Sequence, residues 1–178
     1  MTAICVYCAS GPVAQEYRDL AAALGTAIGA AGHTLVSGGG NVSMMGAVAE
    51  AARAAGGHTI GIIPRALMER EVADLGADEL VITETMRERK QLMDDRADAF
   101  ITLPGGVGTL EELFETWTAG YLGMHAKPVV LLDPDGFYEP LLSWLGELRG
   151  RGFVSQRALD RLGRARSVAD AMRLVTER

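Results

Sequence analysis

The chain has 178 residues, 48% of them hydrophobic, and a formal net charge of −6. That length and composition suit one globular domain, residues 1–178, with a good core, and they exclude a disordered chain. The acidic balance argues against a broad surface for nucleic-acid polymers or anionic membranes. No segment has the length and apolarity of a membrane span, and the N-terminus lacks the basic region of a signal peptide. A cytoplasmic location is expected. Cys5 and Cys8 are the only cysteines. Their C-x-x-C spacing falls in and at the end of a predicted strand, which favours core packing over redox chemistry.

In chain order, Ile4 to Tyr7 reads as a strand and Val13 to Ala31 as an alanine-rich helix with Tyr17, Leu20, Leu24 and Ile28 on its buried stripe. Thr34 to Val36 is a second strand running into Ser37-Gly38-Gly39-Gly40. Met44 to Ala55 is a helix stopped by Gly56-Gly57. Thr59 to Ile63 and Leu80 to Thr83 are strands. Met86 to Arg96 is a helix, Ala99 to Leu103 a strand, and Leu110 to Leu122 a helix with Leu110, Leu113, Phe114, Trp117 and Tyr121 on one face. The pair Trp117 and Tyr121 is assigned to core or subunit contact. Val129 to Leu132 is a strand, and Asp133-Pro134-Asp135-Gly136 is a turn, weak as a metal site. Phe137 to Leu148 is helical, as is Ser167 to Thr176, with Ser167 and Asp170 spaced as an N-cap. The arginines from Arg149 to Arg166 are interleaved with apolar residues at helical spacing and read as a solvated helix face.

Continuous apolar strands alternating with helices predict a single-domain, Rossmann-like α/β fold, a mostly parallel sheet with helices on both faces. Ligands of such sheets bind at the carboxyl ends of the strands, near a switch in strand order. Two glycine loops fall at such ends. In the second, Leu103-Pro104-Gly105-Gly106-Val107-Gly108-Thr109-Leu110-Glu111-Glu112, three glycines expose backbone N–H groups beside a helix start, a setting that favours an anion. The dinucleotide fingerprint fails, because Ser43 and Glu111 stand where its third glycine would be, and a Walker loop lacks its lysine. Phosphate binding remains the reading for the pair of loops, against tight turns alone.

Arg89 shares a helix face with Met86 and Met93. A partly buried guanidinium needs an acceptor: a salt bridge to Glu112, Asp94 or Asp95, or a substrate. Glu112 likewise has two readings. Thr109 and Glu112 match a capping box, and a carboxylate near a helix start, held ionised, also suits hydroxyl binding or stabilisation of a cation.

These residues are similar to those of the LOG (LONELY GUY) family of cytokinin riboside 5′-monophosphate phosphoribohydrolases. Pro104 to Glu112 matches its P-G-G-x-G-T-x-x-E signature. Ser37-Gly38-Gly39-Gly40 with Met45-Gly46 resembles its other glycine loop, and Met86-Arg87-Glu88-Arg89-Lys90 its M-H-x-R-K element. The likeness runs from Cys8-Ala9-Ser10-Gly11 to Lys127-Pro128. It implies hydrolysis of the N-glycosidic bond of an N6-modified or plain adenosine 5′-monophosphate, releasing base and ribose 5-phosphate. It further implies Arg89 and Glu112 as catalytic pair, Gly105, Gly106, Val107, Gly108 and Thr109 as phosphate cradle, and Glu71 and Lys90 as substrate contacts. No metal or cofactor is implied, and a homodimer is the expected assembly. Arg87 and Ser43 depart from the family pattern, where histidine and glycine are usual. The family's other label, lysine decarboxylase, would need pyridoxal phosphate on a lysine, and neither Lys90 nor Lys127 has a context for it. The competing reading is a non-catalytic nucleotide or molybdenum-cofactor carrier of the same fold.

Overall fold

A computed structural model describes residues 1–177. The elements are β1 (Ala3–Tyr7), α1 (Gln15–Ala30), β2 (Thr34–Ser37), α2 (Ser43–Ala54), β3 (His58–Pro64), β4 (Glu79–Thr83), α3 (Met86–Arg96), β5 (Ala99–Thr102), α4 (Val107–Leu122), β6 (Val129–Leu132), α5 (Glu139–Gly150), α6 (Gln156–Asp160), β7 (Leu162–Ala165) and α7 (Val168–Thr176). All seven strands are parallel, in the order β4-β3-β2-β1-β5-β6-β7.

The chain walks outward from β1 to β4, crosses back under α3, and restarts beside β1 with β5. The switch in strand order therefore lies between β1 and β5, where the loops after the two strands diverge and leave a crevice. The sheet divides the core into two layers. Ile4, Val6, Ile101 and Val130 pack with α1, α2 and α7, while Cys5, Tyr7, Phe100 and Leu131 pack under α3, α4 and α5. Both cysteines are buried free thiols, as core packing requires.

The α1–α2 contact depends on missing side chains. A Cβ on Gly25 would fall 2.2 Å from the Val48 carbonyl oxygen, and one on Gly29 would fall 2.3 Å from that of Ala52. The two helices thus meet backbone to backbone, anchored on a common layer of the core.

Three features differ from the expectations. The arginine-rich stretch is not one helix face: it holds α6 and the edge strand β7, with Arg164 on the strand itself. Phe137 and Tyr138 precede α5. Asp133 accepts the N–H groups of Phe137 and Tyr138 at 2.8 and 2.9 Å, so the turn's carboxylate serves the backbone. Helix α4 starts at Val107, with Gly106 as its N-cap and no capping side chain. Thr109 is therefore in the first turn, buried beneath Gly105, and the expected Thr109–Glu112 capping box does not form. A capping box forms instead on α3, between Thr85 and Glu88. The Ser167 cap of α7 is present as expected.

Candidate active site

A cavity of about 430 Å³ opens at the carboxyl ends of β1, β2 and β5. That volume is in the range of small-molecule sites, roughly 300–1,000 Å³. Its walls are the loop after β1, the first turn of α4, Gly38, Glu71, Arg89 and Glu112.

The early start of α4 decides what one wall offers. The N–H groups of Val107, Gly108 and Thr109 have no intrahelical acceptor, and no side chain caps them. Gly106, Val107 and Gly108 are exposed. A Cβ on Gly106 or Gly108 would meet nothing within 4 Å. Neither glycine is demanded by packing or by a left-handed backbone. Their bareness has a use only if something outside the chain comes close. Gly105 differs: a Cβ there would fall 2.2 Å from Thr109 Oγ1, so this glycine is required by packing and lies behind the wall.

The first glycine loop does not behave as an anion cradle. Gly38 donates no room to solvent; it makes room for Arg89. Arg89 Nη2 donates to the Gly38 carbonyl at 2.8 Å and to Glu71 Oε2 at 3.2 Å, and Nε donates to the Ile62 carbonyl at 3.1 Å. A Cβ on residue 38 would fall 2.0 Å from Nη2. Gly39 (φ 72°) passes against the β3 backbone, and Gly40 against Glu71. The triple glycine is a socket for a guanidinium, which corrects the expectation of two phosphate loops. Among the described residues Nη1 meets only the Met86 sulfur, at 3.7 Å, which leaves a donor edge towards the cavity.

The partner of Arg89 is Glu71, not Glu112, Asp94 or Asp95. Glu71 arrives on the irregular segment between β3 and β4. That segment is tied to the first glycine loop by Asp74 N–H to Gly39 at 2.8 Å and by Asn41 N–H to Val72 at 2.7 Å. Asp74, buried, pairs with Arg53 at 2.7 Å and fixes the far end.

Glu112 has no hydrogen-bond or ion-pair partner among the described residues. Burial pushes its carboxyl up to about 7; the charge of Arg89 works against this, and Glu111 and Glu71 add to it. The expectation of a firmly ionised carboxylate is thus corrected. Glu112 lies a turn and a half into α4, beyond the reach of the helix terminus, and its apolar surroundings win. An acid poised near neutrality, unpaired and facing a cavity, is suited to proton transfer.

Lys90 lies outside this cavity, in a neighbouring groove between α3 and α4, and its ammonium binds Glu111 and Glu115. Burial disfavours its charge, but these two carboxylates prevail and raise its pKa. Lys127 is held by Asp94. The chain has no other lysine. Each ammonium is engaged by carboxylates, so the residues do not fit pyridoxal phosphate as a Schiff base.

Sequence reasoning did not single out the β1 end as cavity wall. Tyr7, Cys8 and the turn from Ser10 to Val13 line it, together with Met45, Met86 and Met93. The signal was available, since β1 flanks any switch point in a sheet of this order. Trp117 is core, its indole N–H donating to the Ala158 carbonyl at 2.7 Å, and Tyr121 is half-buried. Of the two departures, Ser43 takes a left-handed φ of 51°, and its hydroxyl is buried without a partner among the described residues. That is the strain a glycine would relieve. Arg87 is exposed on the groove beside Lys90.

Fold and cavity together define a doubly wound α/β protein with a cavity of small-molecule size at its topological switch point. Residues 45–175 match a family model described as "Possible lysine decarboxylase". The chain is 59% identical over 169 residues to the cytokinin riboside 5′-monophosphate phosphoribohydrolase of Mycobacterium marinum, covering 95% of this chain and 90% of that one. It is 57% identical to the protein of the same name from Mycobacterium tuberculosis, over 96% of this chain and 91% of that one. Among solved structures it is similar to the molybdenum cofactor binding protein of Rippkaea orientalis, at 26% identity and a TM-score of 0.75, covering 98% and 94% of the two chains. The chain belongs to the LOG (LONELY GUY) family, as its glycine-loop motifs led us to expect.

Proposed function

We propose that the protein hydrolyses the N-glycosidic bond of adenosine 5′-monophosphates, N6-modified or plain, to the free base and ribose 5-phosphate. The names of its relatives support the reaction class. The observation that carries the assignment of residues is the meeting in one cavity of the uncapped α4 terminus, the Arg89 guanidinium and a carboxyl poised near 7.

The roles follow from charge. The amides of Val107, Gly108 and Thr109 hold the 5′-phosphate at the positive end of α4 and so place the ribose. The glycosidic bond breaks with its electron pair leaving on the base, and the sugar becomes oxocarbenium-like. Glu112 as carboxylate faces that developing cation and takes a proton from the attacking water. The water oxygen bonds to the anomeric carbon, and its proton ends on the departing base. Arg89 directs its donor edge at the nucleotide and offsets charge on the base. Glu71 holds Arg89 in place and contacts substrate only from the cavity rim. Lys90 orders the α3–α4 groove through Glu111 and Glu115, and touches substrate only if the base reaches that groove.

We further propose a homodimer acting in the cytoplasm on a small nucleotide, without nucleic-acid polymer or membrane; the names of the relatives support the nucleoside monophosphate substrate alone. Among the described residues no helix is long and apolar enough to cross a membrane. Light scattering on the purified protein tests the dimer.

A carrier of a nucleotide or of molybdenum cofactor is the second reading, favoured by the likeness to the Rippkaea orientalis protein. A carrier has no use for an unpaired carboxyl tuned to neutrality. Product analysis with AMP, N6-isopentenyl-AMP and other purine monophosphates decides. Stoichiometric base and ribose 5-phosphate support the hydrolase, whereas tight binding with intact nucleotide supports the carrier.

A further inference from the structure

Behind the α4 terminus, on the side away from the cavity, lies a buried polar contact that the reaction scheme does not use. The Tyr138 hydroxyl donates to the Leu103 carbonyl at 2.7 Å. Tyr138 is 2% exposed and is absent from the cavity wall.

Leu103 is held from its other end as well, its N–H donating to the Tyr7 carbonyl at 2.9 Å. The next residue, Pro104, has no N–H, so the Leu103 carbonyl is the one strong handle on this peptide. Gly105 and Gly106 follow, and then the free amides of α4. Gly105 packs against Thr109, but Gly106 is exposed and unhindered, so the loop leading to those amides keeps room to shift. A phenol that grips the peptide just before them removes that freedom.

Tyr138 is itself fixed. Its N–H and that of Phe137 are both taken by the Asp133 carboxylate, which is 8% exposed at the end of β6. Its ring packs edge-on against Phe137 at 4.9 Å, and Phe137 in turn meets Tyr17 of α1 at 6.1 Å. The support thus runs from the β6 end of the sheet to the loop after β5.

We infer that Tyr138, held by Asp133, is a positioning residue that orients the Leu103–Gly106 loop and thereby aims the α4 amides at the substrate's phosphate. It touches neither substrate nor reacting atoms. The inference rests on the phosphate-cradle reading above.

Tyr138→Phe keeps the ring and removes only the hydroxyl. The expected result is a KM for AMP raised about fivefold or more, a Ki for ribose 5-phosphate raised in step, and a kcat within about twofold of the unsubstituted protein. The preference for AMP over adenosine, as a ratio of kcat/KM, should shrink by the same factor. A variant that is folded by circular dichroism yet keeps KM, Ki and preference within about twofold overturns the inference, as does one that loses kcat alone. If Tyr138→Phe does not fold, Asp133→Asn is measured against the same criteria, with a smaller shift in the same direction supporting the inference and no shift overturning it. The cradle reading fails separately: the unsubstituted protein would then show neither preference for AMP over adenosine nor inhibition by ribose 5-phosphate.

Discussion

Arg89 and Gly38 are matched as plug and socket. The guanidinium Nη2 sits 2.8 Å from the Gly38 carbonyl oxygen, where a Cβ on residue 38 would be 2.0 Å from the same nitrogen. The clash involves a buried side chain held by Ile62 and Glu71 as well, so it cannot be relieved by swinging the arginine into solvent. Gly38→Ala should therefore displace Arg89 and cost activity by two orders of magnitude or more, roughly 3 kcal/mol in transition-state stabilisation. Turnover with AMP and a thermal melt check this. A folded Gly38→Ala protein with full turnover would show that Arg89 is not needed where it lies.

Removing the arginine itself leaves the Gly38 and Ile62 carbonyls without a donor and Glu71 without its counter-ion. Arg89→Ala is expected to lose nearly all turnover and to destabilise the fold by about 2–4 kcal/mol, since buried acceptors keep their desolvation penalty. Arg89→Lys has one ammonium for three acceptors in fork geometry and should recover little of either. Denaturant melts together with initial rates separate the two effects.

Gly106→Ala poses the opposite case. A Cβ there meets nothing within 4 Å, and its φ of −93° is open to alanine. Alanine is the poorer N-cap, which its stiffer unfolded chain partly offsets, so stability should fall by no more than about 1 kcal/mol. The added methyl stands at the free amides, so the KM for AMP should rise about tenfold. Unchanged KM in this variant would mean that nothing approaches the loop during catalysis.

The carboxyl of Glu112 makes the pH dependence specific. Acting as base, it must be deprotonated, so kcat/KM should climb with pH through about 7 and then level off. Its pKa is raised in the folded state above the ordinary 4.5. The folded state therefore binds the proton more tightly. Below about 4.5 the group is protonated folded and unfolded and costs nothing. The cost grows as pH rises through the window from 4.5 to about 7 and is complete above it, at roughly 3 kcal/mol. Glu112→Gln should lose most turnover and yet melt at a higher temperature than the unsubstituted protein at pH 8, with the gain vanishing near pH 4. Melts across that range measure it. Greater activity at pH 5 than at pH 8 would contradict the assignment of base.

How much of this was legible in the residues varies with the kind of force involved. Interior strands such as Ala99–Thr102 and Val129–Leu132 are apolar on both faces and read directly. The edge strand Leu162–Ala165 carries Gly163 and Arg164 because one side faces solvent, and it hid inside an arginine-rich run. The Met86, Arg89, Met93 face foretold a guanidinium in the wall. Its partner did not show, because Glu71 reaches it on irregular backbone, where Val72 has a φ of 48° and no periodicity exists to read. At Glu112 the local capping pattern was real as a pattern, but Gly106 begins the helix three residues sooner than Thr109 could. The shift of the carboxyl toward 7 is a property of burial, which only the assembled fold supplies.

The most direct test of the account is a crystal of the Glu112→Gln protein soaked in AMP. The phosphate should lie about 3 Å from the amides of Val107, Gly108 and Thr109, with the ribose beside residue 112 and Arg89 unmoved. A nucleotide bound elsewhere, with that turn empty, would contradict it.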